Sequence, residues 1–151
     1  MTDAMFRVAL PEGPCLARGT IEAGPRELLP AVLGLDDLLA VGGPGLAGAF
    51  DLGSLGRCPA RAPWLAPIEG QEVWCSGVTY ARTREARAAA AGEPSIYDHL
   101  YAAERPELFF KAPGWRVRGP GQAVAIRPDS GWDMAEPELG IVIAADGTIA
   151  G

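Results

Sequence analysis

Short apolar stretches separated by Gly and Pro dominate the chain. Met5 to Leu10 reads as a strand, Pro11-Glu12-Gly13-Pro14 as a turn, and Cys15 to Gly19 as the returning partner. Leu35-Asp36-Asp37-Leu38-Leu39-Ala40 has the apolar spacing of a short helix, which Gly42-Gly43-Pro44-Gly45 is expected to stop. Pro59, Pro63 and Pro67 then punctuate an extended linker. Residues 1–66 are expected to form a small N-terminal domain with a modest core.

From Glu72 the pattern changes. Glu72 to Gly77 reads as a buried strand, and Tyr80 to Ala91 as an Arg- and Ala-rich helix ended by Gly92. Ser95-Ile96-Tyr97-Asp98 has capping-box form and opens a further short helix through Ala103, before the break at Pro106. Glu107 to Lys111 is strand-like, with Glu107, Phe109 and Lys111 on one face, and Ala123 to Ile126 is a further short strand. Glu138 to Ala144 is expected to be a strand that turns at Asp146-Gly147 into a return arm, Thr148 to Gly151. An arm that short reads as truncated.

Twenty Gly and fourteen Pro disfavour a helical bundle and point to a loop- and turn-rich fold, which the elements above make α+β, mostly β, while 48% hydrophobic residues argue against wholesale disorder. The net charge of −6 argues against nucleic acid as a partner. The charge is uneven, however. Residues 128–151 carry Asp129, Asp133, Glu136, Glu138 and Asp146 and no base, beside an Arg-rich middle. That distribution suits a cation and an anionic small molecule, although on its own it reads first as a solvated surface. No run approaches the ~18 apolar residues of a membrane span. Nothing near Met1 resembles a signal peptide, and three cysteines without a CxxC pair point to a reducing cytoplasm.

Among the motifs, Gly43-Pro44-Gly45-Leu46-Ala47-Gly48 matches a dinucleotide pattern but follows a helix-like stretch and contains Pro44, so it is expected to be a loop. His99 is the sole histidine, which excludes multi-histidine metal sites within this chain. Glu136-Pro137-Glu138 is the sharpest constellation. On a strand the i, i+2 spacing points both carboxylates to one face, where a hard cation such as Mg²⁺ would relieve their repulsion. Spacing alone leaves open an exposed edge with two solvated glutamates. Glu107 and Lys111, the sole lysine, offer an acid/base pair flanking Phe109, or an ordinary half-exposed strand.

Taken in order, Val73-Trp74-Cys75-Ser76-Gly77-Val78-Thr79-Tyr80, Arg105-Pro106-Glu107-Leu108-Phe109-Phe110-Lys111, Trp132-Asp133 and Glu136-Pro137-Glu138-Leu139 resemble the fumarylacetoacetate hydrolase family, from about Ile68 to Gly151. The resemblance implies that residues 67–151 are the first part of a mixed β-roll, apparently truncated, behind the small N-terminal domain. It implies a site for Mg²⁺, or Mn²⁺ or Ca²⁺, held by Glu136, Glu138 and a later Asp beyond this chain. Thr83 and Ala86 stand where the hydrolases carry a His and a Glu. The Val-Thr-Tyr variant and the Arg-Pro-Glu-Leu-Phe-Phe-Lys run instead resemble the 2-keto-3-deoxy-D-arabinonate dehydratase branch. The implied activity is a hydro-lyase reaction on a 2-keto-3-deoxypentonate through a metal-stabilised enolate. Glu107 would be the base, Lys111 would orient the substrate or assist the leaving group, and Arg82 or Arg84 would meet the carboxylate. The full-length protein would be a homodimer. The alternatives are a carbon–carbon hydrolase or decarboxylase of acylpyruvates, and an inactive fragment lacking the third ligand.

Overall fold

In the structure, a computed structural model, residues 2–82, 84, 85, 89, 96–133 and 135–151 are described. They form an α+β arrangement, mostly strands, in two compact units: residues 1–70 with 117–151, and residues 71–116.

The first unit is built on a meander of four antiparallel strands in the order β1-β2-β3-β4. β1 (Asp3–Leu10) and β2 (Gly13–Thr20) pair along their whole length, because Pro11-Glu12 closes a tight turn between Leu10 and Gly13. β3 (Gly24–Leu28) joins β2 with a break in register at Arg18/Gly19, and β4 (Gly56–Arg57) adds a short outer rung. At that break Gly19 approaches the Gly24 carbonyl so closely that a Cβ would lie 2.0 Å from its oxygen. No larger residue fits there. The free edge of β1 is covered, since Ala9 donates its N–H to the Pro63 carbonyl and Leu65 donates to the Arg7 carbonyl.

Alternation along β1 and β2 feeds two small cores on opposite faces of this sheet. Val8, Cys15, Ala17 and Cys58 pack on one face. Leu16 faces the other way and joins Leu29, Leu35, Leu38, Leu39, Ala49 and Ala144. Arg7 fastens the chain beyond this core. Its guanidinium donates to Glu69 at 3.0 Å and to the carbonyls of Ala66 and Ile68, while Glu69 also accepts the Asp36 N–H at 3.2 Å.

The helix α1 (Leu35–Val41) forms as its spacing predicts, with the Asp37 carboxylate accepting the Gly34 N–H at 3.0 Å. The expected loop after it is instead a second helix, α2 (Gly43–Ala49). Gly42, at φ 84°, takes the left-handed backbone that ends α1, and Pro44 sits in the first turn of α2, where its missing N–H costs nothing. Asp146 completes the start of α2 by accepting the Gly43 N–H at 3.0 Å.

Asp146 belongs to the expected hairpin, which forms: Ile143 bridges Ile149, and Ala144 and Ala150 donate to Thr148 and Val142. Pairing begins only at Val142, so residues 138–141 are not the strand expected of them. Ala123 to Ile126 is likewise exposed, non-strand backbone. Hydrogen bonds from the Thr148 and Gly43 N–H groups favour the charged form of Asp146 and hold its carboxyl below the usual range. A folded-state pKa lowered in this way contributes stability that is fully present above the unfolded value and is lost as pH falls through the folded one. Asp146→Asn should therefore flatten the acid limb of a urea-midpoint profile below about pH 4. An unchanged limb would show that these bonds do not matter to the fold.

In the second unit, β5 (Glu72–Ser76) pairs antiparallel with β6 (Leu108–Pro113). The pair was expected to contain a buried strand, yet Trp74 is 56% exposed and Phe110 50% exposed. A two-stranded ribbon has no second layer to cover it. The helix α3 (Ile96–Ala102) is present, and Ala81, Arg82, Arg84, Glu85 and Ala89 have helical backbone. Gly92, the Ser95 cap, Thr83 and Ala86 lie outside the described residues. Among the described residues no helix is long and apolar enough to cross a membrane.

Candidate active site

The ribbon β5–β6 places most of the candidate chemistry of the second unit. Trp74 faces Phe110 and Val73 faces Ala112, which leaves Lys111 as an extra residue on β6 opposite the Val73/Trp74 step. Such a bulge re-aims the side chain it carries. Lys111 is exposed, with its ammonium 5.9 Å from the centre of the Phe109 ring. The Lys111 ammonium thus lies within reach of the Phe109 ring beside a bulge that alternation alone does not anticipate.

Glu107 lies just before β6, and its carbonyl accepts the Gly77 N–H at 2.9 Å as the last rung of the ribbon. Pro106, which has no N–H, blocks continuation of the ladder on that side. The Glu107 carboxylate rests over Gly77: a Cβ built on Gly77 would be 3.7 Å from its Oε2. The next residue, Val78, has φ 47°, a left-handed conformation that a β-branched residue rarely adopts. The chain leaves the ribbon there, and by Arg84, whose N–H donates to the Tyr80 carbonyl, it is helical. From the sequence, Gly77 and Val78 stand only within the Val73–Tyr80 run, with no role of their own. No residue-type signal marks a Val for positive φ.

The two candidate carboxylate-binding arginines differ. Arg82 is exposed, whereas Arg84 is half-buried, lies 3.9 Å from the Asp98 carboxylate and covers the Tyr101 ring at 4.7 Å. The Asp98 pair is long and partly solvated, so it holds Arg84 only loosely. His99 is exposed on α3.

Glu136 and Glu138 lie in the first unit, both exposed and both outside any strand ladder. The shared strand face expected of them is therefore not set by pairing. Asp133, near them in sequence, accepts a hydrogen bond from the Ser130 hydroxyl at 3.0 Å. Among the described residues, no three His, Cys, Asp or Glu side chains gather as a metal cage. The first unit also has an apolar hollow lined by Met5, Phe6, Leu16, Leu35 and Trp64, but none of the candidate residues enters it. Thiol chemistry is disfavoured at Cys15 and Cys58, where burial pushes both thiols up, the neighbouring Cys15 adding to the effect at Cys58.

Two curated proteins match part of this chain. A protein of Haloferax volcanii named "Probable 2-keto-3-deoxyxylonate dehydratase" is 47% identical over 77 residues, covering 51% of this chain and 27% of the relative. A 2-dehydro-3-deoxy-D-arabinonate dehydratase of Saccharolobus solfataricus is 44% identical over 89 residues, covering 56% of this chain and 30% of the relative. The resemblance to the dehydratase branch holds. The chain spans less than a third of the length of these curated relatives. No protein-family model matches it, and no solved structure does.

Proposed function

We propose that this chain supplies part of the active site of a hydro-lyase that removes water from a 2-keto-3-deoxy sugar acid. The observation that carries the reading is the 44–47% identity to two proteins named for that reaction. On this reading residues 67–151 are the N-terminal portion of a catalytic β-roll of the fumarylacetoacetate hydrolase type, behind a small domain of residues 1–66. A homodimer in the cytoplasm, with no nucleic-acid or membrane partner, belongs to the same reading.

The donor chemistry of Glu136 and Glu138 fits Mg²⁺. This hard ion takes oxygen donors and keeps several waters, so two exposed carboxylates suit it as part of its ligand set. When bound, the ion would act as a Lewis acid toward the substrate's carboxylate and keto oxygens.

The remaining steps fall to Glu107, Lys111 and the two arginines. Glu107, exposed and anchored through its backbone to Gly77, takes the proton from C3. The C4 hydroxyl then departs as water, with Lys111 orienting it or giving it a proton. Arg82 or Arg84 meets the substrate carboxylate, and Arg84 has the better-defined place beside Tyr101. Tautomerisation gives a dioxo acid, and no hydrolytic water is required.

Product analysis tests the reading. The polypeptide that carries this chain, supplied with Mg²⁺ and a 2-keto-3-deoxypentonate, should release the dioxo acid and leave an acylpyruvate intact. Cleavage of the acylpyruvate with no dehydration would replace this reading with that of a carbon–carbon hydrolase.

A further inference from the structure

We propose that Tyr101 is a positioning residue for Arg84, a proposal that rests on the dehydratase reading above. Its ring holds the Arg84 guanidinium as the fork that receives the substrate carboxylate, a role that falls to Arg84 and not to Arg82.

Arg82 and Arg84 stand two positions apart on helical backbone, where the Arg84 N–H donates to the Tyr80 carbonyl at 3.1 Å. At about 100° per residue their side chains leave a helix in nearly opposite directions, so the two do not form one fork. Arg84 is the one that α3 grips. Asp98 and Tyr101 lie three positions apart on that helix, hence on one face of it, and both reach the guanidinium. The centre of the Tyr101 ring is 4.7 Å from the guanidinium carbon, and the Asp98 carboxylate stands 3.9 Å from Nε. The ring thus covers one flat side of the group, and Asp98 lies at its inner edge. Neither contact takes up Nη1 or Nη2 as a hydrogen-bond donor, and these two nitrogens make the planar fork that matches a carboxylate. Of the two holds the ring is the firmer. A long, partly solvated ion pair contributes little, whereas a ring under the guanidinium restricts its plane without using its donors. All three side chains remain more than a third exposed, so a small anion can reach the fork.

The test is a double-mutant cycle in the polypeptide that carries this chain, assayed with Mg²⁺ and a 2-keto-3-deoxypentonate. Arg84→Met removes the fork and should raise KM at least about tenfold. Tyr101→Leu should raise KM roughly two- to fivefold with kcat nearly unchanged, the loss expected of one partly exposed cation–π contact that aims a binding group. Tyr101→Gln, which also removes the ring, should behave alike, so a leucine variant that fails to fold does not end the test. Tyr101→Phe keeps the ring and should keep the wild-type KM. In an R84M background Tyr101→Leu should raise KM no further, because its effect passes through the guanidinium. Ring-deleted variants with the wild-type KM, a Tyr101→Phe enzyme as impaired as they are, or an equal loss in the R84M background overturns the positioning role and leaves the dehydratase reading standing. So does an R84M enzyme of unchanged KM, which hands the carboxylate to another group. A wild-type protein that does not dehydrate the acid overturns the dehydratase reading and this inference with it.

Discussion

Replacing Glu136 and Glu138 together by Gln is expected to remove the calorimetric signal of specific Mg²⁺ binding from the polypeptide that carries this chain. It should also lower kcat/KM on the 2-keto-3-deoxy acid by at least about a hundredfold. Even partners that only support a metal ligand cost about 10- to 100-fold when lost, and a ligand itself should cost no less. Gln keeps the shape of Glu and one acceptor oxygen but not the negative charge that a hard cation requires. Both positions are exposed and lie outside the ladders, so the urea midpoint should stay where it is. The same heat of binding in the variant would mean that the ion is held elsewhere. A lost midpoint would mean that the pair serves the fold and not an ion.

The largest effect on stability is expected at Leu29, which is 0% exposed and lies in the core shared by β2, α1, α2 and the hairpin. Leu29→Ala removes buried apolar area and leaves a cavity, at a cost of about 2–5 kcal/mol. Set against a typical domain stability of roughly 5–15 kcal/mol, that is a large share of the whole. Leu29→Met, which nearly conserves volume, should cost less than about 1.5 kcal/mol. Equilibrium urea unfolding of the two variants separates packing from mere hydrophobicity. Equal midpoints for both would show that the site collapses around the loss.

The elements that could be read from the sequence are those fixed by local chemistry. The β1–β2 hairpin follows from Pro11 to Pro14, α1 from its leucine spacing with Asp37 reaching back to Gly34, and the last turn from Asp146-Gly147. What escaped depends on partners distant in sequence. Residues 43–49 look like a breaker, and they become α2 with the help of a carboxylate 103 positions away. Residues 123–126 have strand-like composition but no neighbouring ladder, and composition cannot supply one. The burial expected of β5 failed for the same reason, since a ribbon of two strands leaves Trp74 and Phe110 half in water. At the candidate site, Glu107 and Lys111 stand out in the sequence by type and spacing. The bulge that re-aims Lys111 and the left-handed Val78 beside Glu107 were not, because both are backbone events without a residue-type signature.

The hairpin that seals the first core has a consequence for how the chain is made. Ala144 and Asp146 emerge from the ribosome long after the strands and helices against which they pack. At about 5–20 residues per second, the 76 positions from Gly70 to Asp146 take roughly 4 to 15 s to synthesise. During that interval the leucine face of α1 has no Ala144 against it, and the start of α2 has no carboxylate. Closing a loop of that span is also entropically slow. The nascent first unit thus passes through a window of seconds in which its leucines are open to a chaperone or a protease, and the window shuts only when residues 142–151 arrive.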